Sequence, residues 1–291
     1  MSTFSKYAIF CKVIEAGSFT AAAEQIGYSQ SAVSQIVKSL EVELAATLIE
    51  RRKDGILLTK DGKDFYPFIK AIGQAEKALQ NKYKEMHGLL ASSITIGSFT
   101  SVSRNILPSL MQQFKSLYPD VNIILRQGEY TEIKNWIING EVDFGFISSE
   151  AAVGIEKEIL YSDSMVAVLP ESHPLAAQEE VTLTELASEP FILLDEGEYS
   201  LPLNAFRAEG LQPHVEYKVY DDFTILAMIK QSLGVSILYK LAIQDYEHNV
   251  ALRPVAGVPD RQVAVAYARK EALSLAAKTF IKFIRERCPQ Q

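Results

Sequence analysis

Two short helical segments joined by a three-residue turn constrain this chain more than any other feature of its sequence. Ser18 is a good N-cap for a helix that runs through Ile26, and Gly27 suits the position after its C-terminus. Ser29 can cap the next helix, whose inward face is predicted from five apolar residues at helical spacing: Val33, Ile36, Val37, Leu40 and Leu44. The proportions predict a helix-turn-helix.

A further helix is predicted before this motif and ends at Gly17. Its buried stripe is expected to consist of Phe4, Tyr7, Ala8, Cys11 and Ile14.

The opposite face of the helix that Ser29 caps is polar. It carries Gln30, Ser31, Ser34, Gln35 and Lys38. Glutamine can pair bidentately with adenine, and serine can bond either a base or a phosphate. We expect this face to contact base edges in DNA. The alternative is an ordinary solvated helix surface, although such surfaces usually carry more Glu and Lys.

A hairpin is predicted over residues 48–59, where two strand-like runs flank a Lys-Asp-Gly turn. Its basic residues are Arg51, Arg52 and Lys53. We expect them to contact phosphates, which supply affinity and no sequence choice.

The segment 59–88 predicts one long helix. Its apolar residues follow a 3-4 alternation: Phe65, Phe68, Ile72, Ala75, Leu79 and Met86. This stripe is typical of a two-stranded coiled coil with a second chain, and packing within the same chain is the alternative. Pro67 is expected to kink or delay the helix.

Five segments of this N-terminal part together resemble the LysR-type transcriptional regulators. They are residues 19–24, 29–35, 38–41, 48–51 and 58–62. The sequence departs from the family pattern at Ala45, where Gly is usual, and at Ile49, where Phe is usual; we interpret both departures as changes in packing. The resemblance implies double-stranded DNA and RNA polymerase as partners, a homodimer or homotetramer, and no cofactor.

The remaining two hundred residues predict an α/β module. Strand-like runs alternate with helical ones, which favours parallel β-α-β units covered on both faces. The predicted strands are 94–97, 121–125, 142–147, 165–169, 191–194, 215–219, 235–238 and 263–268. A last amphipathic helix carries Phe280, Phe283 and Ile284 on one side.

We expect two lobes joined by crossovers near residues 161–164 and 266–269. The predicted fold is therefore an all-α winged helix-turn-helix (1–58), a dimerising linker helix (59–89) and an effector-binding domain (90–291). Lobe I comprises 90–162 and 268–291, and lobe II comprises 163–267. The resemblance extends to this part and implies a domain similar to periplasmic binding proteins, with a small-molecule effector in the cleft.

Hydroxyl-bearing residues follow several predicted strands at one sheet edge, where such folds bind ligands. The predicted effector contacts are Ser98, Thr100, Ser101, Thr131, Ser148, Phe223 and Thr224. Helix N-termini there favour a carboxylate or another small anion. Simple helix capping is the alternative for each Ser and Thr. The acidic residues Asp195, Glu196 and Glu198 could repel an anion or bind a cation, but a solvated loop is the preferred interpretation.

Other functional classes lack their motifs. The sequence contains no GxSxG, P-loop or GxGxxG motif, and its four histidines and two cysteines show no ligand spacing for zinc. We expect neither an enzyme nor a metal site, although an enzyme and a plain binding module remain the rival classes. No apolar run reaches the length of a membrane span, and we expect a cytoplasmic protein. Residues 1–90 carry 12 Lys/Arg against 10 Asp/Glu, and the remainder 17 against 26, which fits a DNA-binding head on an acidic body.

Overall fold

The computed structural model describes residues 4–52, 55–86, 93–246 and 248–288. The chain divides into two compact units, residues 1–84 and 85–291, which we call the head unit and the effector unit. Within the described ranges, no helix combines the length and the apolar character needed to cross a membrane.

Four helices and a two-stranded hairpin form the head unit. They are α1 (Lys6–Ala16), α2 (Phe19–Ile26), α3 (Gln30–Glu43), β1 (Ile49–Arg52), β2 (Gly55–Leu58) and α4 (Lys60–Met86). The predicted caps are confirmed, because the Ser18 and Ser29 hydroxyls accept hydrogen bonds from backbone N–H groups three residues on. Gly27 adopts the left-handed conformation (φ 72°) that ends α2.

The buried face of α1 differs from the predicted stripe. Ile9, Phe10 and Val13 are fully buried together with Cys11, whereas Phe4 precedes the helix and is 39% exposed. Of the predicted stripe, Tyr7 and Ile14 are only partly buried against this core, and Ala8 is likewise partly buried. The reason is that α1 packs against both α2 and α3, so its buried face is wider than one stripe and is rotated from it.

The hairpin of β1 and β2 is antiparallel and pairs Ile49 with Leu58. Glu41 of α3 holds it in place, since its carboxylate accepts hydrogen bonds from the Leu48 and Ile49 amides at 2.8 and 3.3 Å. Gly62 of α4 lies so close that a Cβ there would stand 1.9 Å from the Leu48 carbonyl oxygen. Only glycine therefore allows α4 to leave the hairpin at this angle.

The long helix α4 presents apolar side chains in two directions. Ile69 is 2% exposed and belongs to the core of the head unit. Phe68, Ile72 and Leu79 face solvent in the single chain, Phe68 and Leu79 with 71% of their surface exposed. The helix continues through Pro67.

The effector unit has a mixed five-stranded sheet in lobe I. Its strands are β3 (Ser93–Ser98), β4 (Asn122–Gln127), β5 (Phe144–Ser148), β6 (Glu156–Asp163) and β12 (Arg261–Tyr267). The order is β4-β3-β5-β12-β6, with β3, β4 and β5 parallel and β12 antiparallel to both of its neighbours. The helices of lobe I are α5 (Thr100–Asn105), α6 (Leu107–Leu117), α7 (Tyr130–Asn139) and α12 (Leu275–Arg287).

Lobe II contains a three-stranded antiparallel sheet and a parallel pair. The strands are β7 (Met165–Pro170), β8 (Phe191–Leu194), β9 (Val215–Val219), β10 (Ser236–Tyr239) and β11 (Val250–Pro254). β7 lies between β10 and β11, and β8 pairs with β9. The helices are α8 (Leu183–Ala187), α9 (Leu201–Ala208), α10 (Asp222–Lys230) and α11 (Lys240–Ile243). Each lobe has its own apolar core.

The second crossover lies earlier than the sequence predicts. Strand β12 begins at Arg261 and belongs to the sheet of lobe I, so the prediction that lobe II extends to residue 267 is wrong. The return falls between β11 and β12, within residues 255–260. Strands β6 and β11 were not predicted, because β6 is mostly polar and β11 is short. The antiparallel β12 makes the sheet of lobe I mixed, and the three-stranded sheet of lobe II is antiparallel, where parallel units were expected.

Candidate functional site

Two surfaces carry the polar groups that the sequence singles out: the outer face of α3 with the hairpin, and a pocket between the two lobes. On α3, Gln30, Ser31, Gln35 and Lys38 are exposed, and Ser34 is partly buried. Their side chains thus point away from the core that Val33, Val37 and Leu40 build on the other side. The N-terminal half of α3 is open to a partner.

The hairpin places its arginines beside this face. Arg51 donates a hydrogen bond from Nη2 to the Ser34 hydroxyl at 2.9 Å, and its guanidinium lies 4.4 Å from the centre of the Phe19 ring. Arg52 forms an ion pair with Glu50 at 2.5 Å. Lys53 lies outside the described residues. We call Gln30, Ser31, Ser34, Gln35, Lys38, Arg51 and Arg52 the α3–hairpin surface.

A pocket of about 30 Å³ lies between lobe I and lobe II. It is lined by Phe99, Thr100, Ser101, Glu129, Tyr130, Leu194, Glu196, Tyr220, Asp222, Tyr239, Ala242 and Arg261. A space of this size accommodates about two water molecules or one small polar head group. The lining comes from the ends of strands and starts of helices in both lobes, so a group bound there touches both.

Arg261 is the central cation of the pocket and is 2% exposed. It is ion-paired with Asp163 and donates hydrogen bonds to the Tyr130 hydroxyl at 2.8 Å and the Ser101 hydroxyl at 3.0 Å. Its guanidinium also lies 3.6 Å from the centre of the Tyr239 ring, while Nε has no hydrogen-bond partner among the described residues. Asp163 ends β6 and Arg261 begins β12, so this pair joins the chain segments at the two crossovers.

Three carboxyl groups of the lining have raised pKa values. Burial raises the pKa of Glu196 to about 7, although the nearby Arg261 guanidinium and a hydrogen bond from Tyr239 oppose the rise. Burial and then the charge of Asp222 raise the pKa of Glu129 to about 7. Burial likewise raises the pKa of Asp222 to about 6. These carboxyls come from different lobes and face each other across the pocket.

The structure brings only part of the predicted effector contacts to this pocket. Thr100 and Ser101 line it. Ser98 and Ser148 are buried elsewhere, where their hydroxyls donate to the Phe99 carbonyl and to Glu150. Thr131 is exposed outside the lining, where Tyr130 takes its place.

In lobe II the predicted contacts are adjacent to a residue that lines the pocket. Thr224 bonds to Asp221, which caps α10, and Phe223 stacks on Arg104. The residue that lines the pocket is their neighbour Asp222. The solvated-loop interpretation is wrong for Glu196, which is 7% exposed. The predicted preference for an anionic effector stays a prediction; the acidic lining argues against it, since Arg261, the cation of the lining, is paired with Asp163.

Sequence reasoning missed Glu129, Tyr130, Tyr220, Tyr239 and Arg261. Tyr239 and Arg261 stand at strand ends, and Tyr130 stands at a helix start, which is a signal that the sequence does contain. Arg261 begins β12, and the sequence pattern predicts this strand only from residue 263 onward. Among the described residues, no three His, Cys, Asp or Glu side chains are grouped so that they could hold a metal ion.

Two family models together match almost the whole chain. The bacterial regulatory helix-turn-helix model of the lysR family matches residues 4–63, and the LysR substrate binding domain model matches residues 87–289. The chain belongs to the LysR family. It is a DNA-binding transcriptional regulator with an effector-binding domain.

Individual LysR-family proteins resemble the chain over its full length. The uncharacterized HTH-type transcriptional regulator YvbU of Bacillus subtilis is 32% identical over 288 residues, which cover 98% of each chain. The crystal structure of HinK, a LysR family regulator from Pseudomonas aeruginosa, aligns with a TM-score of 0.62 and 27% identity over 100% of both chains. Full-length OxyR from Pseudomonas aeruginosa has the same fold, with a TM-score of 0.77 and 22% identity over 98% of this chain and 94% of that one.

Proposed function

We propose that this LysR-type regulator binds paired DNA half-sites as a dimer and responds to a small effector in the pocket between its lobes. The observation that carries the proposal is the α3–hairpin surface, where exposed amides and hydroxyls adjoin two arginines. As a regulator of transcription it would act in the cytoplasm, with RNA polymerase as a further partner.

Within the α3–hairpin surface, the two kinds of side chain suit different parts of DNA. Gln30, Ser34 and Gln35 stand on the half of α3 that enters the major groove in helix-turn-helix proteins, so they are the proposed base contacts. Arg51 and Arg52 are the proposed phosphate contacts. Phosphate oxygens would replace Ser34 and Glu50 as their present partners.

The exposed apolar side of α4 supports a dimer. Phe68, Ile72, Ala75 and Leu79 are spaced by four, three and four residues and are all exposed in the single chain. Such a stripe buries itself against a second copy in a coiled coil. Ile69 and Phe65 pack on the core of the head unit, so the face of α4 proposed for the dimer is the other one.

The pocket between the lobes is the proposed effector site because both lobes contribute to its lining. Asp222 Oδ1 and Arg261 Nε are buried there without a hydrogen-bond partner among the described residues. Such groups are costly until a ligand or water satisfies them. An effector that binds open and closed lobes unequally would shift their arrangement.

Dimeric DNA binding can be tested with the double variant Ile72→Asp and Leu79→Asp. The aspartates would place unpaired charges in the coiled-coil seam, so the variant should sediment as a monomer. Its affinity for DNA from upstream of its own gene, measured by fluorescence anisotropy, should fall by about a hundredfold or more, since one head unit gains only half of the phosphate and base contacts.

Val153→Asp is the matched control, because Val153 is an exposed apolar residue of the effector unit, 66% exposed. It should sediment and bind DNA as the parent does. A double variant that remains dimeric would place the seam elsewhere.

A further inference from the structure

The pocket between the lobes contains buried acid that the protein itself does not neutralise. Asp222 is 7% exposed, and its Oδ1 has no hydrogen-bond partner among the described residues. Glu196, equally buried, receives one hydrogen bond from the Tyr239 hydroxyl at 2.8 Å. A buried carboxyl group is either protonated or paired with a positive charge, so these two groups can accept a cation in exchange for their protons.

The cations near the pocket supply only part of the compensating positive charge, because Arg261 and Arg104 lower the pKa of Asp222 while burial still raises it to about 6. Arg261 is engaged by Asp163, Tyr130 and Ser101. Arg104 lies outside the lining, with its guanidinium between the Phe223 and Tyr246 rings at 3.8 and 4.0 Å. Counting Arg261 and Asp163 as a neutral pair, ionisation of Glu129, Glu196 and Asp222 gives the pocket three further negative charges, which Arg261 and Arg104 offset only in part.

Four aromatic side chains also line the pocket. They are Phe99, Tyr130, Tyr220 and Tyr239. Two of these rings already stack on a cation, since Arg261 lies 3.6 Å from the Tyr239 ring centre and 4.6 Å from that of Phe99. Aromatic faces attract cations, and the attraction is strongest where water is excluded.

We propose that the effector is a small organic cation whose protonated amino group sits between Glu196, Asp222 and Glu129. This inference rests on the proposed function of the pocket as the effector site. A volume of about 30 Å³ suits an ammonium head group, and the rest of a larger amine would require the lobes to move apart. An ammonium group donates three hydrogen bonds, which matches three surrounding carboxyls.

Proton exchange should accompany binding. Without a cation beside them, Glu196 and Glu129 hold their protons below about pH 7 and Asp222 holds its proton below about pH 6, because those are their pKa values. The groups that face them are Arg261, Arg104, Asp221 and Glu132, together with Asp195 and Tyr239. A cation favours the ionised carboxylates, so its affinity should rise from pH 6 to pH 8, by about tenfold for each group of pKa 7 that must ionise.

The test is calorimetry of the full chain with propylammonium chloride and sodium propionate at constant ionic strength. These ions have similar size and opposite charge. At pH 8 the affinity for propylammonium should exceed that for propionate by about tenfold or more. The affinity for propylammonium should be lower by about tenfold or more at pH 6 than at pH 8. Its binding should release protons, seen as a dependence of the heat on the ionisation enthalpy of the buffer.

Three variants locate the binding. Glu196→Gln and Asp222→Asn keep shape while removing charge, and each should lower propylammonium affinity by about tenfold or more. Glu171→Gln is the matched control, an exposed acid outside the pocket that should leave affinity unchanged. Thr100→Trp, at an exposed position of the lining, should fill the pocket and abolish binding. Thermal melting verifies that each variant folds.

The outcomes separate the two proposals. If propionate binds more tightly than propylammonium and Thr100→Trp blocks it, the pocket is the effector site and the cation inference is wrong. If propylammonium keeps full affinity in the charge variants and in Thr100→Trp, both proposals are wrong. Absence of binding by either ion also contradicts the inference of a cationic effector.

Discussion

Arg51 in the head unit and Arg261 in the effector unit make similar contacts in opposite surroundings. Each guanidinium stacks on an aromatic ring and donates a hydrogen bond to a serine hydroxyl. Arg51 is exposed, while Arg261 is 2% exposed and paired with the buried Asp163. Water therefore screens the charge of Arg51 and hardly reaches that of Arg261.

This difference separates two ways of preparing a charged group for a partner. Arg51 can exchange Ser34 for a phosphate at little cost, because both arrangements are solvated. The charges around Arg261 lost their water when the protein folded, so their protonation, pairing and occupancy depend on one another. The head unit should tolerate changes of charge that the pocket does not.

The largest expected effect is that of replacing Arg261. Arg261→Met leaves Asp163 buried without its partner and should lower the free energy of unfolding of the effector unit by about 3–5 kcal/mol. Arg51→Met, the matched change in the head unit, should cost about 1 kcal/mol or less, as expected for an exposed contact. Urea unfolding of the effector unit is followed by the fluorescence of Trp136, the single tryptophan, which lies in lobe I. Urea unfolding of the head unit is followed by helical circular dichroism.

A second substitution tests the cause. Asp163→Asn combined with Arg261→Met removes the unpaired charge and keeps an acceptor for the Leu241 amide, so it should recover a large share of the stability. An equal loss in free energy of unfolding for Arg51→Met and Arg261→Met would contradict the claim that burial makes the two arginines differ.

The next effect is a pH dependence that only the pocket should show. Since the pKa of Glu196 is about 7 in the folded chain and 4.5 in its ordinary state, the folded chain binds the proton more tightly. The stabilisation is therefore complete below about pH 4 and is lost as pH rises through 7. Glu196→Gln should remove the share of Glu196 in this pH dependence, leaving that of Glu129 and Asp222, and should make the effector unit more stable than the parent at pH 8, on the order of 2–3 kcal/mol. The free energy of unfolding is measured at pH 5, 6.5 and 8. An equal change with pH in the two proteins would show that ionisation of Glu196 does not destabilise the folded chain.

The head unit was largely predictable because its information is local. The serine caps, the glycine at the end of α2 and the polar face of α3 lie within residues 18–38, and each acts on its immediate neighbours. The predicted buried face of α1 was wrong because helix periodicity does not show how many other helices pack against a helix. Ile9 and Phe10 are buried because two other helices cover α1.

The pocket was less predictable because distant residues meet there. Arg261 contacts Ser101 and Tyr130, which lie 160 and 131 positions away. A second crossover at 266–269 would put β12 in lobe II, whereas this strand belongs to lobe I and brings Arg261 to the pocket. Elsewhere the predicted sheet edge lies at the pocket, but the lining residue is the neighbour of the predicted one, as Asp222 is of Phe223. A sequence pattern locates the end of a strand or helix to within a residue or two, and a shift of one residue is enough to replace a lining side chain by its neighbour.

The smallest expected effect concerns Ala45, where the sequence alone indicates a packing change. Ala45 has φ 49°, a left-handed conformation that is strained for alanine and free for glycine. Ala45→Gly should raise the stability of the head unit by about 0.5–1 kcal/mol. Ala71→Gly, at an exposed position within α4, should lower it by a similar amount. Thermal melting followed by helical circular dichroism checks both, and destabilisation by Ala45→Gly would mean that the strain is compensated.

Selection of operator sequences tests most directly whether α3 reads bases while the hairpin only holds phosphate. With the full chain as reference, Gln30→Ala, Ser34→Ala and Gln35→Ala should each relax the preference at individual operator positions, by about 1–3 kcal/mol for a good base contact. Arg52→Ala should weaken binding to all sequences alike and reduce the slope of log affinity against log salt by about 0.9 for each phosphate that the variant no longer neutralises. An unchanged sequence preference in all three α3 variants would contradict the assignment of α3 as the reading helix.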